Sequence, residues 1–292
     1  HAKAATTVTS TRADIIDRNG VVLATSLPTA SLYADPHDIM DATEAAQKLS
    51  EVLPSLNTAE IEMKLNSMGR FVWISRNLTP KQQYAVNRLG IPGLSFQYGE
   101  KRVYPHGPEA AHVLGLTDVD GNGIAGVEQY FAEVLSKGDE PLQLSIDIRI
   151  QSILRAELIK AVTEFSAIGA AGLVMDVETG EVVAMTSLPD YDPNSPASVS
   201  GSSGFNRATK GVYEMGSTFK LFTTAMALDS GTVGLSDGYD TTDPIRVARF
   251  TINDFHGKKR WLSVPEILTY SSNIGTAKMA LDVGTEGQKF YL

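Results

Sequence analysis

Along "ADIIDRNGVVLATS", apolar Ile15 and Ile16, then Val21, Val22 and Leu23, flank Arg18-Asn19-Gly20. Asn and Gly both tolerate positive φ, so this pattern predicts a β-hairpin. The apolar spacing then turns helical. "TEAAQKLSEVL" and "NTAEIEMKLNSM" each predict an amphipathic helix, the second with Asn57 as N-cap and Glu60 at the capping-box position. "TPKQQYAVNRLG" predicts another, with Thr79 as N-cap, Pro80 in the first turn and Gly90 closing it. "PEAAHVLGLTDVDGNGIAGVEQYFAEVL" reads as a short apolar helix, a glycine-rich turn and a second helix from about Ala125.

The pattern changes near Lys137-Gly138-Asp139-Glu140-Pro141, and a domain boundary is expected there, giving domains 1–140 and 141–292. Beyond it "LQLSID" is strand-like and "IRIQSILRAELIKAVTEF" predicts a long amphipathic helix. "GAAGLVMDVETGEVVAMTSLP" predicts two apolar strands, 170–177 and 181–187, joined through Glu178-Thr179-Gly180. "DYDPNSPASVSGSSGFN" reads as loop throughout, its Ser/Gly run resembling a flexible linker. No internal repeat is visible. Helices and hairpins alternating in this way predict an α+β protein.

Composition narrows the function. Over 292 residues, 42% are hydrophobic and 20% charged, enough for packed cores and too little charge for a disordered chain. The formal charge of −9 disfavours nucleic acid as a partner. No cysteine is present, so neither a disulfide framework nor a thiolate metal site is available. No apolar run approaches the ~18–20 residues that cross a bilayer, and the opening "HAKAATTVTS" reads either as an artificial end or as a cut made just outside a membrane anchor.

The chemistry-bearing candidate is "YEMGSTFK". Ser217 opens an apolar segment of helical length, and Lys220 lies one turn later on the same face, where its amine can reach the hydroxyl. Lysine can act as a base toward serine only when its pKa is depressed, as by partial burial at a helix N-terminus. The bland alternative is a capping serine beside a solvated lysine. "TYSSNIGTAK" adds Ser271, Ser272 and Asn273: a second hydroxyl that can relay a proton and a carboxamide that can hold a substrate amide, or else an Asn/Ser-rich turn. His106, His112 and His256, with Glu109, Asp118 and Asp254 nearby, match no metal-ligand spacing. "DVDGNG" has Gln129 where a calcium loop needs glutamate, and reads as a turn. "HGKKRW" reads as a solvated basic loop.

"YEMGSTFK" and "YSSNIG", preceded by "MDVETGEVVAMTSLPDYDPN", resemble the transpeptidase domain of a penicillin-binding protein. "RADIIDRNGVVLATS" and "YPHGPEAAHVLGLTDVDGNGIAGVEQYF" resemble the N-terminal module of class B members, and "LSIDIRIQ" the septal, FtsI-like type. The resemblance implies a non-catalytic α+β module over 1–140, followed over 141–292 by the first part of a penicillin-binding, β-lactamase-like serine transpeptidase domain. It implies Ser217 as the acylated serine, Lys220 as its base, and Ser271 with Asn273 as the second motif. The reaction implied is D,D-transpeptidation of peptidoglycan stem peptides during cell division, without metal or organic cofactor, with β-lactams as covalent ligands. The implied setting is the periplasm, with an inner-membrane anchor not present in this chain and other division membrane proteins as partners.

The chain also departs from that family. No Lys-Ser-Gly or Lys-Thr-Gly run, the family's third motif, occurs in it, and relatives carry a longer stretch between Leu135 and Leu142. These 292 residues alone are therefore expected to acylate slowly or not at all, and to leave the 170–177 and 181–187 strands with an unpaired edge. Two other classes remain at this point: a β-lactamase or β-lactam sensor, and a non-catalytic fragment acting as a division-complex interaction module.

Overall fold

The computed structural model describes residues 12–138 and 140–292, so the opening "HAKAATTVTS" reading and Asp139 at the expected boundary lie outside the described residues. Strand β1 (Ile15–Ile16) and the long β2 (Val22–Ala34) form the expected hairpin. The turn is held by more than Asn-Gly. Buried Asp17 accepts hydrogen bonds from the amides of Asn19 (2.7 Å), Val21 (2.9 Å) and Ile148 (3.2 Å), which hold its carboxyl below the usual range against the desolvation that raises it.

Helices α1 (Ala42–Val52) and α2 (Thr58–Leu65) follow, capped by Asp41 and Asn57. The Asn57 side chain accepts from the amide of Glu60 (3.1 Å), but Glu60 pairs forward with Lys64 rather than back to the cap. After β3 (Val72–Leu78), helix α3 (Pro80–Asn87) has a full capping box between Thr79 and Gln82. Strand β4 (Leu94–Val103) runs antiparallel along β2. Leu32, Leu49, Ile61, Leu65, Ile74 and Leu78 form the apolar core that helices and sheet share.

The next helices are short: α4 (Ala111–Leu114), α5 (Gly126–Tyr130) and α6 (Ala132–Leu135). Gly115 and Gly126 lie backbone to backbone, both at positive φ (76° and 59°), so neither site has room for a Cβ. Between them Asp118 accepts from the amides of Asp120 and Asn122, which makes "DVDGNG" a turn. Glu128 of α5 is fully buried between Arg12 Nε (2.7 Å) and Arg102 Nε (2.7 Å). Its loss would leave the Arg102 guanidinium buried without a counter-charge. We expect Glu128→Ala to destabilise the chain by about 3–5 kcal/mol, read from urea unfolding; a change below ~1 kcal/mol would show that the arginines find other partners.

Of "LQLSID", only β5 (Leu142–Gln143) is a strand, paired parallel to β1, because β1 offers just two residues to pair with. Helix α7 (Ile148–Glu164), capped by Asp147, leads to the hairpin of β6 (Ala170–Met175) and β7 (Val182–Leu188). Among the described residues β6 pairs only with β7, and Leu173, Val174 and Met175 are exposed. This is the unpaired apolar edge expected from the sequence.

The Ser/Gly-rich loop is not a free linker. Tyr191 is buried and donates to the Ala111 carbonyl (3.0 Å). The Asn194 amide pairs in both directions with the Tyr104 backbone (2.9 Å each). Buried Ser203 accepts from the Ser200 amide (2.9 Å), and its carbonyl meets the His112 ring (2.7 Å). Side-chain hydrogen bonds order what composition alone reads as flexible. Helix α8 (Arg207–Lys210), capped by Asn206, ends this part.

The chain divides into two compact units, residues up to Gly211 and Val212–Leu292. The second contains α9 (Lys220–Asp229), β8 (Gly238–Asp240), the small hairpin β9 (Ile245–Val247) and β10 (Phe250–Ile252), β11 (Trp261–Ser263), α10 (Val264–Thr269) and α11 (Asn273–Tyr291). Ala227, Leu262, Val264, Ile267 and Met279 make its core. Among the described residues no helix is long and apolar enough to cross a membrane.

Candidate active site

Gly216, at φ 56°, lets the chain turn into a 3-10 segment, Gly216–Phe219, which passes directly into α9. The sequence predicts a plain helix start here; the tighter turn is the difference. In a 3-10 turn residues i and i+3 eclipse, so Ser217 and Lys220 project from one face. Ser217 is exposed, and among the described residues its hydroxyl has no hydrogen-bond partner.

Lys220 is directed at the second motif rather than at Ser217. Its Nζ donates to the Ser271 carbonyl oxygen (2.6 Å) and lies 3.0 Å from the Ser271 hydroxyl. The backbone of α10 makes this possible. The Ser272 amide bonds to the Ile267 carbonyl (2.9 Å) and the Ser271 amide to that of Leu268 (3.0 Å), a Schellman ending with Ser271 at the left-handed position, φ 52°. Glycine ordinarily occupies that position, and a serine there costs about 1–3 kcal/mol. No carboxylate pairs with Lys220 among the described residues. Partial burial lowers its pKa from the ordinary 10.5, while the charge of Asp254 pulls it back up.

Ser272 and Asn273 start α11. The Ser272 hydroxyl accepts from the Gly275 amide (3.0 Å) and donates to Asp254 Oδ2 (2.8 Å). Asp254 Oδ1 accepts from the Ile274 amide (2.9 Å), and Asn273 Nδ2 donates to the Asn253 carbonyl (2.7 Å). A carboxylate at a helix N-terminus is favoured by the helix dipole as well. Gly275 has a packing role: a Cβ there would meet Ile267 Cγ1 at 2.6 Å, so only glycine lets α11 close against α10.

The structure thus joins Lys220 to Ser271 and holds Asn273 from the Asn253–Asp254 loop. Asp254 is the residue of this cluster that sequence reasoning did not link to the serine–asparagine motif. It stands 18 residues before its partner Ser272 with no local pattern to mark it, and is noticeable in sequence only as an acid near His256.

A hydroxyl exposed on a tight helix start, a partly buried lysine of lowered pKa and a serine–asparagine turn are the kinds of group that serine acyl transfer uses. Residues 7–138 match the penicillin-binding protein dimerisation domain and residues 170–292 the penicillin-binding protein transpeptidase domain. The chain is 42% identical to the probable peptidoglycan D,D-transpeptidase FtsI of Caulobacter vibrioides, over 95% of this chain and 48% of that protein. It is 35% identical to the probable peptidoglycan D,D-transpeptidase PenA of Neisseria meningitidis, over 96% and 53%. With the peptidoglycan D,D-transpeptidase FtsI of Escherichia coli strain K12 it shares 31% identity, over 94% and 52%. A peptidoglycan synthetase of Bifidobacterium adolescentis shares the fold, with TM-score 0.68 over 97% of this chain and 61% of that one at 22% identity. The chain belongs to the penicillin-binding proteins, and its relatives are of the FtsI type. It is α+β, a dimerisation module followed by transpeptidase-domain sequence, and it spans about half the length of the curated relatives it matches.

Proposed function

We propose that this chain belongs to a peptidoglycan D,D-transpeptidase of cell division, and that Ser217 is its acylated nucleophile. The carrying observation is the Lys220–Ser271 contact (3.0 Å between Nζ and the hydroxyl), which links the two motifs through one amine. Ser217 attacks the penultimate D-Ala carbonyl of a stem peptide; the C–N bond to the terminal D-Ala breaks, and an amine of a neighbouring strand later takes the acyl group. Neutral Lys220 accepts the hydroxyl proton, Ser271 passes a proton to the leaving nitrogen, and Asn273 holds a substrate amide. The Ser217 amide contributes to the oxyanion hole. β-Lactams acylate the same oxygen by opening their ring.

Residues 1–140 would serve as the non-catalytic module and 141–292 as the first part of the catalytic domain. The setting would be periplasmic and membrane-anchored, beside other division proteins. The test is labelling of the full-length gene product with a fluorescent penicillin, followed by peptide mapping. One label on the peptide containing Ser217 is expected; no label, or a label elsewhere, rejects the assignment.

Asp254 supplies a second check. Asp254→Asn removes a charge and one of two acceptors that fix Ser272 and Ile274. Misplacement of this kind costs roughly 10- to 100-fold in acylation rate. The pH profile separates causes. Acylation rises with pH as Lys220 loses its proton, and the Asp254 charge holds that proton on. Without the charge the rising limb should move to lower pH. A slower variant with an unmoved limb would leave Asp254 a purely structural clamp.

A further inference from the structure

The segment that clamps the second motif also carries a positive face. Residues 245–260 hold Arg246, Arg249, Lys258, Lys259 and Arg260 against the single acid Asp254, in a chain of formal charge −9. That acid is consumed inward, by Ser272 and Ile274. Arg260 is neutralised by Glu266 at 2.8 Å, which holds the Glu266 carboxyl down at about 2. Lys258 and Lys259 are exposed and have no carboxylate partner among the described residues.

The placement of Lys258 is specific. Lys258 Nζ sits 4.7 Å from the centre of the Tyr270 ring, and Tyr270 directly precedes Ser271, the serine on Lys220. The backbone is held in costly conformations: Lys259 has φ 53° and Ser271 φ 52°, neither being glycine. Such strain persists only where surrounding structure enforces it, and it gathers at ligand clamps.

We propose that Lys258 and Lys259 form a subsite, beside the Ser271–Asn273 motif, for a carboxylate carried by the peptide substrate away from its reacting carbonyl. This rests on the transpeptidase reading above. The Lys258 ammonium, on the ring of the residue that precedes Ser271, stands at the end of the motif where such a peptide would lie. Two exposed lysines in sequence, neither paired with a carboxylate among the described residues, select anionic peptides over neutral ones, chiefly through capture from solution.

The test compares carbenicillin with benzylpenicillin, which share a nucleus and differ by a side-chain carboxylate. Second-order acylation rates are measured on the full-length gene product at low salt. The subsite predicts that Lys258→Gln with Lys259→Gln lowers the carbenicillin-to-benzylpenicillin ratio about three- to tenfold, the dianion losing more than the monoanion. Raising salt to about 0.5 M should remove most of that difference, because the screening length falls below the size of the site. Lys258→Arg should keep the ratio, which separates charge from packing on Tyr270. An unchanged ratio in the double variant overturns the subsite. So does an unchanged ratio with lost binding to phosphatidylglycerol vesicles, which would reassign the lysines to a membrane surface. If benzylpenicillin acylates neither wild type nor variant, the serine reading itself fails and the subsite with it.

Discussion

Ser217→Ala is expected to abolish covalent labelling by penicillin and leave the fold unchanged. Loss of a serine nucleophile costs on the order of 10⁶ in turnover in enzymes of this chemistry, far beyond what neighbouring groups recover. Stability should stay within about 0.5 kcal/mol, since Ser217 is exposed and its hydroxyl has no partner to lose. The measurement is intact mass after penicillin treatment, paired with thermal melting. A variant that still gains one penicillin mass places the nucleophile elsewhere. A variant that melts many degrees lower points to a structural role for the turn opened by Gly216.

The features legible in the sequence are those whose partners lie close along the chain. The Thr79–Gln82 capping box, the Asn57 cap and the Asn19-Gly20 turn each close within three or four residues, so local chemistry dictates them. Ser217 and Lys220 were readable for the same reason, being one turn apart. The contacts that were not readable close over long separations. Asp17 caps the start of α7 from 131 residues away, and Asp254 fixes Ser272 across 18. The Lys220–Ser271 bond spans 51 residues. Its geometry depends on a left-handed serine that propensity would assign to glycine. The "SVSGSSGFN" loop fails for a related reason. Composition reports the flexibility of an isolated strand of Ser and Gly, whereas Ser203 is buried with its carbonyl on the His112 ring, and Tyr191, earlier in the same loop, is tied to Ala111.

Lys220→Arg is expected to lower acylation by about 10²–10⁴-fold with little change in melting temperature. Arginine keeps the charge and can still donate to the Ser271 carbonyl, which Lys220 meets at 2.6 Å. It cannot serve as base, since guanidinium keeps its proton above pH ~12. The wild-type profile carries the complementary sign. Burial lowers the Lys220 pKa, so its neutral form accumulates as pH rises through a value below the ordinary 10.5. Acylation should climb over that interval, and the climb should be absent from the arginine variant. Acylation of the variant within a few-fold of wild type would leave Lys220 as a strut beneath Ser271. The proton from Ser217 would then need another acceptor. The Asp254 carboxylate already accepts from Ser272 and Ile274, so the remaining group at the site is the Ser271 hydroxyl, which cannot hold a proton without a base behind it. Among the described residues Lys220 alone combines a side-chain contact to Ser271 with a pKa drawn below its ordinary value.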